Sequence, residues 1–268
     1  MLSFLPFKKL PGKRKNDTPY YLGLSILSTI GDAGDNDTGD NVAYKKPERQ
    51  KLSAEARRIL SLFEGRPLEE SDIAREAQGR PFFPAREADC MRRTEGSETN
   101  TLPKQQPQVA DFSITHSGVL AAVSYTRGKN LRTGCDVERV RPRAGAGKIA
   151  EKSFSATEKN YVFPQGKFDE TRFYEIWVLK ECYIKLRGLS VFDMAACPSF
   201  ISEKNEFAFG AAVSRPLSFY LYELSGSGER YILAAALEGT EPQQPEIRWF
   251  SQSPLAYKML HTICAAIL

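Results

Sequence analysis

The stretch FYEIWVLKECYIKLRG, residues 173–188, decides how the rest of the chain is read. Its aromatic and aliphatic residues suit burial, and Gly188 stands where a helix stop is expected. The pattern predicts a helix over 169–187. Trp177, Glu181 and Lys185 are spaced four apart and share one face of it. A carboxylate in such a segment needs a compensating charge. Two readings stand. One is a salt bridge between Glu181 and Lys185 beside a core stripe, worth about 0.2–0.5 kcal/mol. The other is a charged site walled by the aromatics.

The neighbouring segments bear on that choice. RTGCDVERV (132–140) reads as a strand, on which residues two apart face the same side. Asp136 and Glu138 then share a face, while Cys135 and Val137 point the other way. Two close anions repel unless a cation or basic neighbour separates them. By itself this pair fits an exposed strand face matched to Arg139 or Arg141. Taken with Glu181, it fits a magnesium-plus-phosphate site. Magnesium takes a few carboxylate oxygens and completes its shell with water and phosphate oxygens.

Further out, Ser155 and Glu158 in FSATEKNYV (154–162) make a capping box that starts another helix. DFSITHSGVLAAVSYTRG (111–128) reads as two strands around a turn at Ser117-Gly118. YYLGLSILSTI (20–30), FAFGAAV (207–213), SFYLYEL (218–224) and RYILAAALEG (230–239) read as strands. LSAEARRILSLF (52–63) has helical periodicity, with Ser53 as N-cap. The tail YKMLHTICAAIL (257–268) reads as an amphipathic terminal helix docked on the body. GVLAAVSY (118–125) echoes YILAAALE (231–238), which permits two lobes of like architecture divided near residue 130. The aspartate-rich GDAGDNDTGDN (31–41) does not match calcium-loop spacing and reads as a solvated loop. TEGSETNTLPKQQPQ (94–108) is polar and reads as a mobile loop.

Composition is that of an ordinary soluble protein: 268 residues, 41% hydrophobic, 26% charged, net charge +4. That charge is too small to argue for nucleic acid. Cys90, Cys135, Cys182, Cys197 and Cys264 are scattered and odd in number, with no zinc-type spacing, so reduced thiols in a cytoplasm are the simpler reading. The start, MLSFLPFKKLPGKRK, has the wrong order and length for a secretory signal, and no apolar run is long enough for a membrane span.

GRPFF (79–83), SITHS (113–117), GCDVE (134–138), FSATE (154–158) and WVLKECYIK (177–185) occur in one order and spacing. Together they resemble the 4'-phosphopantetheinyl transferases of the Sfp type, over roughly residues 79–238. The resemblance implies an α+β fold of two similar α/β lobes related by a pseudo-twofold axis, with coenzyme A in the cleft between them. It implies transfer of the 4'-phosphopantetheine arm of coenzyme A to a serine hydroxyl of an apo acyl or peptidyl carrier protein, releasing 3',5'-ADP. Magnesium would be the cofactor, with manganese as the alternative ion.

By position, Asp136, Glu138 and Glu181 resemble the metal-binding carboxylates. Lys180 and Lys185 resemble the phosphate-contacting helix lysines, and His116 the histidine on a coenzyme phosphate. Arg80 stands where the family's coenzyme-holding lysine does, and Thr115 replaces the usual serine before the histidine. Glu181 is the expected proton acceptor and Lys185 the expected charge-stabilising cation. The basic segment ERVRPRAGAGKIAEK (138–152) reads either as a solubilising loop or as a surface for an acidic carrier. The expected organisation is an extension over 1–18, lobes over 19–130 and 131–240, and a tail helix over 241–268. The alternatives are a catalytically inactive scaffold that binds coenzyme A or carrier, and an unrelated metal-dependent phosphotransferase or hydrolase.

Overall fold

Alternation along one strand sets the layering. In the computed structural model, β6 (Arg132–Arg139) turns Cys135 and Val137 into an apolar layer shared by two sheets, and turns Gly134 towards the long helix that follows. The structure describes residues 20–27, 46–84, 109–226, 228–251 and 255–267. The expectations for 1–18, 31–41 and 94–108 fall outside these residues.

The first sheet has the order β4 (Ala110–Ser117), β5 (Leu120–Arg127), β1 (Tyr20–Ile26), β9 (Glu246–Trp249). The second has the order β10 (Ala256–Cys264), β7 (Leu217–Gly226), β8 (Glu229–Glu238), β6. A minor hairpin joins β2 (Ala74–Arg75) to β3 (Pro81–Phe82). Tyr20, Leu22, Leu24, Leu120 and Ala122 of the first sheet pack on Tyr220, Tyr222, Leu233 and Leu237 of the second. Apart from β9 and β10, the orders are β4-β5-β1 and β7-β8-β6, so each sheet follows the same path of strand, helix and hairpin.

A long helix covers the outer face of each sheet. On α1 (Lys46–Glu64), Ala56, Ile59, Leu60 and Phe63 recur at helical spacing and meet Phe112, Val123 and Tyr125. It starts well before the expected Ser53, which lies exposed in its interior. The buried stripe carries the helix, so no cap is needed at that serine. On the second sheet lie α2 (Ala146–Ser153), α3 (Ala156–Val162) and α4 (Glu170–Arg187). The capping box of Ser155 and Glu158 is formed as expected, and α4 ends at Gly188 in the left-handed region, φ 68°. α4 buries residues around most of its circumference because the sheet lies on one side and α2, α3 and a 3-10 turn (Val191–Ala196) on others.

Two expectations fail here. The tail is not a helix: β9 runs parallel to β1, and β10 runs antiparallel to β7 with Ile263 buried in the core. A short run such as KMLHTIC fits either period, and the open edge of β7 decides it by offering backbone partners. Residues 207–213 make only isolated bridges, Ile201 to Phe207 and Val213 to Ile267. Both edges of the second sheet are already taken, by β10 and by the seam with β4, so the segment buries Phe209 against Phe200 and Phe219 instead.

Candidate functional site

Among the described residues β6 pairs through its backbone with β8 on one edge only; β4, in the other sheet, flanks the opposite edge. Side chains close this seam. Thr133 N–H donates to Asp111 Oδ2 at 2.7 Å, Val137 N–H to Thr115 Oγ1 at 3.4 Å and Arg139 N–H to Ser117 Oγ at 3.0 Å. Asp111, Thr115 and Ser117 share one side of β4 because strand side chains alternate. They satisfy backbone donors that a buried edge would otherwise leave unpaired.

The same residues orient the acids. Thr115 Oγ1 donates to Asp136 Oδ1 at 2.9 Å, and Ser117 Oγ donates to Glu138 Oε2 at 2.8 Å. Lys185 Nζ donates to Asp136 Oδ1 at 2.6 Å. Asp136 is 4% exposed, and its Oδ2 is buried with no hydrogen-bond partner among the described residues. Sequence reasoning noted Thr115 only as a departure and gave Asp111 and Ser117 no role. The signal was the alternation of hydrogen-bonding side chains in DFSITHS, which becomes legible only when β6 is known to lie alongside.

α4 supplies the other half, and Gly134 allows its approach. A Cβ at position 134 would lie 2.6 Å from the Cys182 carbonyl oxygen and 3.1 Å from the Leu186 nitrogen, both backbone. With hydrogen there instead, the turn carrying Glu181 and Lys185 settles over Asp136. Burial pushes the Glu181 carboxyl up to about 7, with the Asp136 charge adding to the rise and Lys185 opposing it. Burial likewise lifts Glu138 to about 7, again with Asp136 adding and the Ser117 hydrogen bond opposing. Burial disfavours the Lys185 ammonium, yet the Asp136 carboxylate outweighs this and raises its pKa. Asp136, Glu138, Glu181 and Lys185 thus form one electrostatic cluster. Among the described residues, no three His, Cys, Asp or Glu side chains are drawn tightly enough together to make a ready metal cage.

His116 lies beside this cluster on β4. Burial lowers its pKa, and the nearby charges of Lys185 and Arg49 lower it further, which favours the neutral ring. Arg143, expected on a carrier-facing surface, stacks over the Trp177 ring at 5.1 Å and acts electrostatically on both glutamates. Arg139 is held by Glu229. Part of the basic segment is helical, as α2, rather than a loop throughout.

Two expected ligand contacts lie elsewhere. Lys180 points away from the acids into the core, where its ammonium is 3.1 Å from Glu158 Oε2, both side chains 0% exposed. Helix geometry dictates this: residues 180 and 181 are about 100° apart around the axis and cannot serve one site. Arg80 is also buried, and its guanidinium binds Asp111 and the Lys185 carbonyl rather than facing open space.

Comparison with known proteins agrees with this geometry. The family described as the 4'-phosphopantetheinyl transferase superfamily matches residues 132–236. This segment resembles that superfamily. It holds β6, α4, β7 and most of β8, and therefore Asp136, Glu138, Glu181 and Lys185. The 4'-phosphopantetheinyl transferase AcpT of Escherichia coli (strain K12) is 33% identical over 92 residues, 33% of this chain and 45% of that protein. The 4'-phosphopantetheinyl transferase psf-1 of Bacillus pumilus is 31% identical over 99 residues, 35% of this chain and 40% of that protein. The chain thus spans less than half the length of these curated relatives. No helix among the described residues is long and apolar enough to cross a membrane.

Proposed function

We propose that the chain transfers the 4'-phosphopantetheine arm of coenzyme A to a serine hydroxyl of an apo carrier protein, releasing 3',5'-ADP. The observation that carries this reading is the cluster of a buried Asp136 with half-buried Glu138, Glu181 and Lys185, set between β6 and α4 inside the matched segment. Its three carboxyl groups outnumber the one lysine that pairs with them. Burial and mutual repulsion hold two of them near 7, so the site favours an additional cation.

A magnesium ion fits that deficit, with manganese as the alternative. Asp136 Oδ2 is an oxygen donor with no hydrogen-bond partner among the described residues, and hard oxygen donors suit magnesium. Asp136, Glu181 and Glu138 would hold the ion. When bound, it would offset the charge of the coenzyme diphosphate and ease departure of 3',5'-ADP. Lys185 adds a fixed positive charge in a partly dry site, where it counts for more than in water. Glu181, with a carboxyl near 7, is suited to accept the serine proton at neutral pH. His116, neutral and beside Lys185, can donate a hydrogen bond to a phosphate oxygen.

The matching strand orders support two lobes related by a pseudo-twofold axis, with coenzyme A between them. Exposed Arg141, Lys148 and Lys152 follow the β6 acids in the chain and suit an acidic carrier. The test is incubation of the chain with coenzyme A, magnesium and a panel of apo carriers, followed by mass spectrometry. A carrier gaining the arm, with the gain lost in E181Q, is the expected result. Hydrolysed coenzyme beside unmodified carriers would point to a different phosphotransferase or hydrolase.

A further inference from the structure

The last turn of a helix leaves backbone carbonyls without helical partners. In α4 one of them belongs to Lys185, and it accepts a hydrogen bond from Arg80 Nε at 3.0 Å. The same guanidinium grips Asp111 through Nη2, at 2.9 Å to one oxygen and 2.7 Å to the other. It also reaches the Thr133 carbonyl at 3.4 Å, while Asp111 accepts the Thr133 N–H at 2.7 Å. One side chain, 5% exposed, therefore joins the β2–β3 hairpin to β4, β6 and the end of α4. Gly188 completes the fit: a Cβ there would crowd Glu76 and touch Arg80.

We infer that Arg80, gripped by Asp111, is a positioning residue that locks the carboxyl end of α4 and thereby holds the Lys185 ammonium on Asp136. The residue whose carbonyl is held is the residue whose ammonium makes the 2.6 Å contact. Lysine carries four rotatable stem bonds and helix ends fray, so fixing this backbone narrows where the charge can go. To serve a coenzyme phosphate instead, Arg80 would have to abandon the half-buried Asp111 carboxylate. A lysine at position 80 could not reproduce the arrangement, because it is a point charge without the fork that reaches Asp111 and the carbonyl together. The consequence for catalysis rests on the transferase reading; the lock itself does not.

Competitive acylation of lysines in the full chain, mapped by peptide mass spectrometry, tests the lock without any activity assay. Lys180, buried with Glu158, reports whether the core stays closed. In R80K and in D111N, labelling of Lys185 is expected to rise several-fold as its ammonium leaves Asp136 for solvent, with Lys180 unchanged. The double variant R80Q/D111N removes the unpaired guanidinium that D111N leaves, and should behave alike. Unchanged Lys185 labelling overturns the inference, and so does a parallel rise at Lys180, which would mean general loosening. On the transferase, R80K should lower kcat by about tenfold or more through a misplaced charge, with coenzyme A affinity held within about twofold. Coenzyme A binding weakened at unchanged kcat would make Arg80 a coenzyme ligand and refute the lock. If the wild-type chain modifies no carrier, the transferase reading fails while the labelling still decides.

Discussion

Lys180 and Lys185 show how one helix turn divides structure from chemistry. Both were expected to meet phosphate. Lys180 instead neutralises Glu158, whose other contacts are the N–H groups of Ser155 and Phe200. K180M should strand that carboxylate and destabilise the fold by about 3–5 kcal/mol in denaturant unfolding. K185M leaves Asp136 its Thr115 hydrogen bond, and should cost less stability than K180M while abolishing carrier modification. The sequence made the acids of β6 and α4 legible, because spacing of two on a strand and four on a helix puts them on defined faces. It could not show that Lys180 and Arg80 had internal partners, since Glu158, Asp111 and the Lys185 carbonyl meet them only through tertiary contacts. Titration belongs to this scale too. Glu138 and Glu181 are raised to about 7, above an unfolded value of about 4.3, so the folded state binds the extra protons. Their contribution to stability is full below about pH 4 and is lost as pH rises through 7. The metal-free midpoint should therefore fall between pH 5 and pH 8, by at least about 3 °C, and magnesium should restore more at pH 8 than at pH 5. A midpoint flat or rising over that range would contradict the burial of these acids.

At the scale of elements, the site is a seam between a strand edge and a helix face. Gly134 sets the closeness of β6 and α4, and its neighbours across the gap are backbone atoms that cannot turn aside. G134A should force the two apart, costing about 1–3 kcal/mol and cutting activity by more than the loss of folded protein explains. Full activity in a folded G134A would show that the spacing does not matter. The strands at 111–128 and 132–140, the helix at 169–187 and its glycine stop were readable because period, cap and turn signals agreed there. The tail and residues 207–213 were misread because edge availability, rather than local pattern, decided their state. The polar seam of Asp111, Thr115 and Ser117 carries no signal until β4 and β6 are known to lie side by side.

In the molecule as a whole, two sheets back onto one apolar layer and two tail strands each extend one of them. The echo between residues 118–125 and 231–238 corresponds to β5 and β8, which occupy like places in the two strand orders. Exposed Arg141 and Lys148 belong to the surface proposed to meet a carrier. R141E/K148E should raise the KM for carrier about tenfold, with the effect fading at high salt and coenzyme A affinity unchanged. Equal carrier kinetics in the variant would place docking elsewhere. The central claim is that acids from β6 and α4 serve one divalent ion. Manganese binding, followed by electron paramagnetic resonance with coenzyme A present, tests it most directly. The account predicts one tightly held ion per chain, lost in D136N and equally in E181Q; retention of that ion by either variant would contradict it.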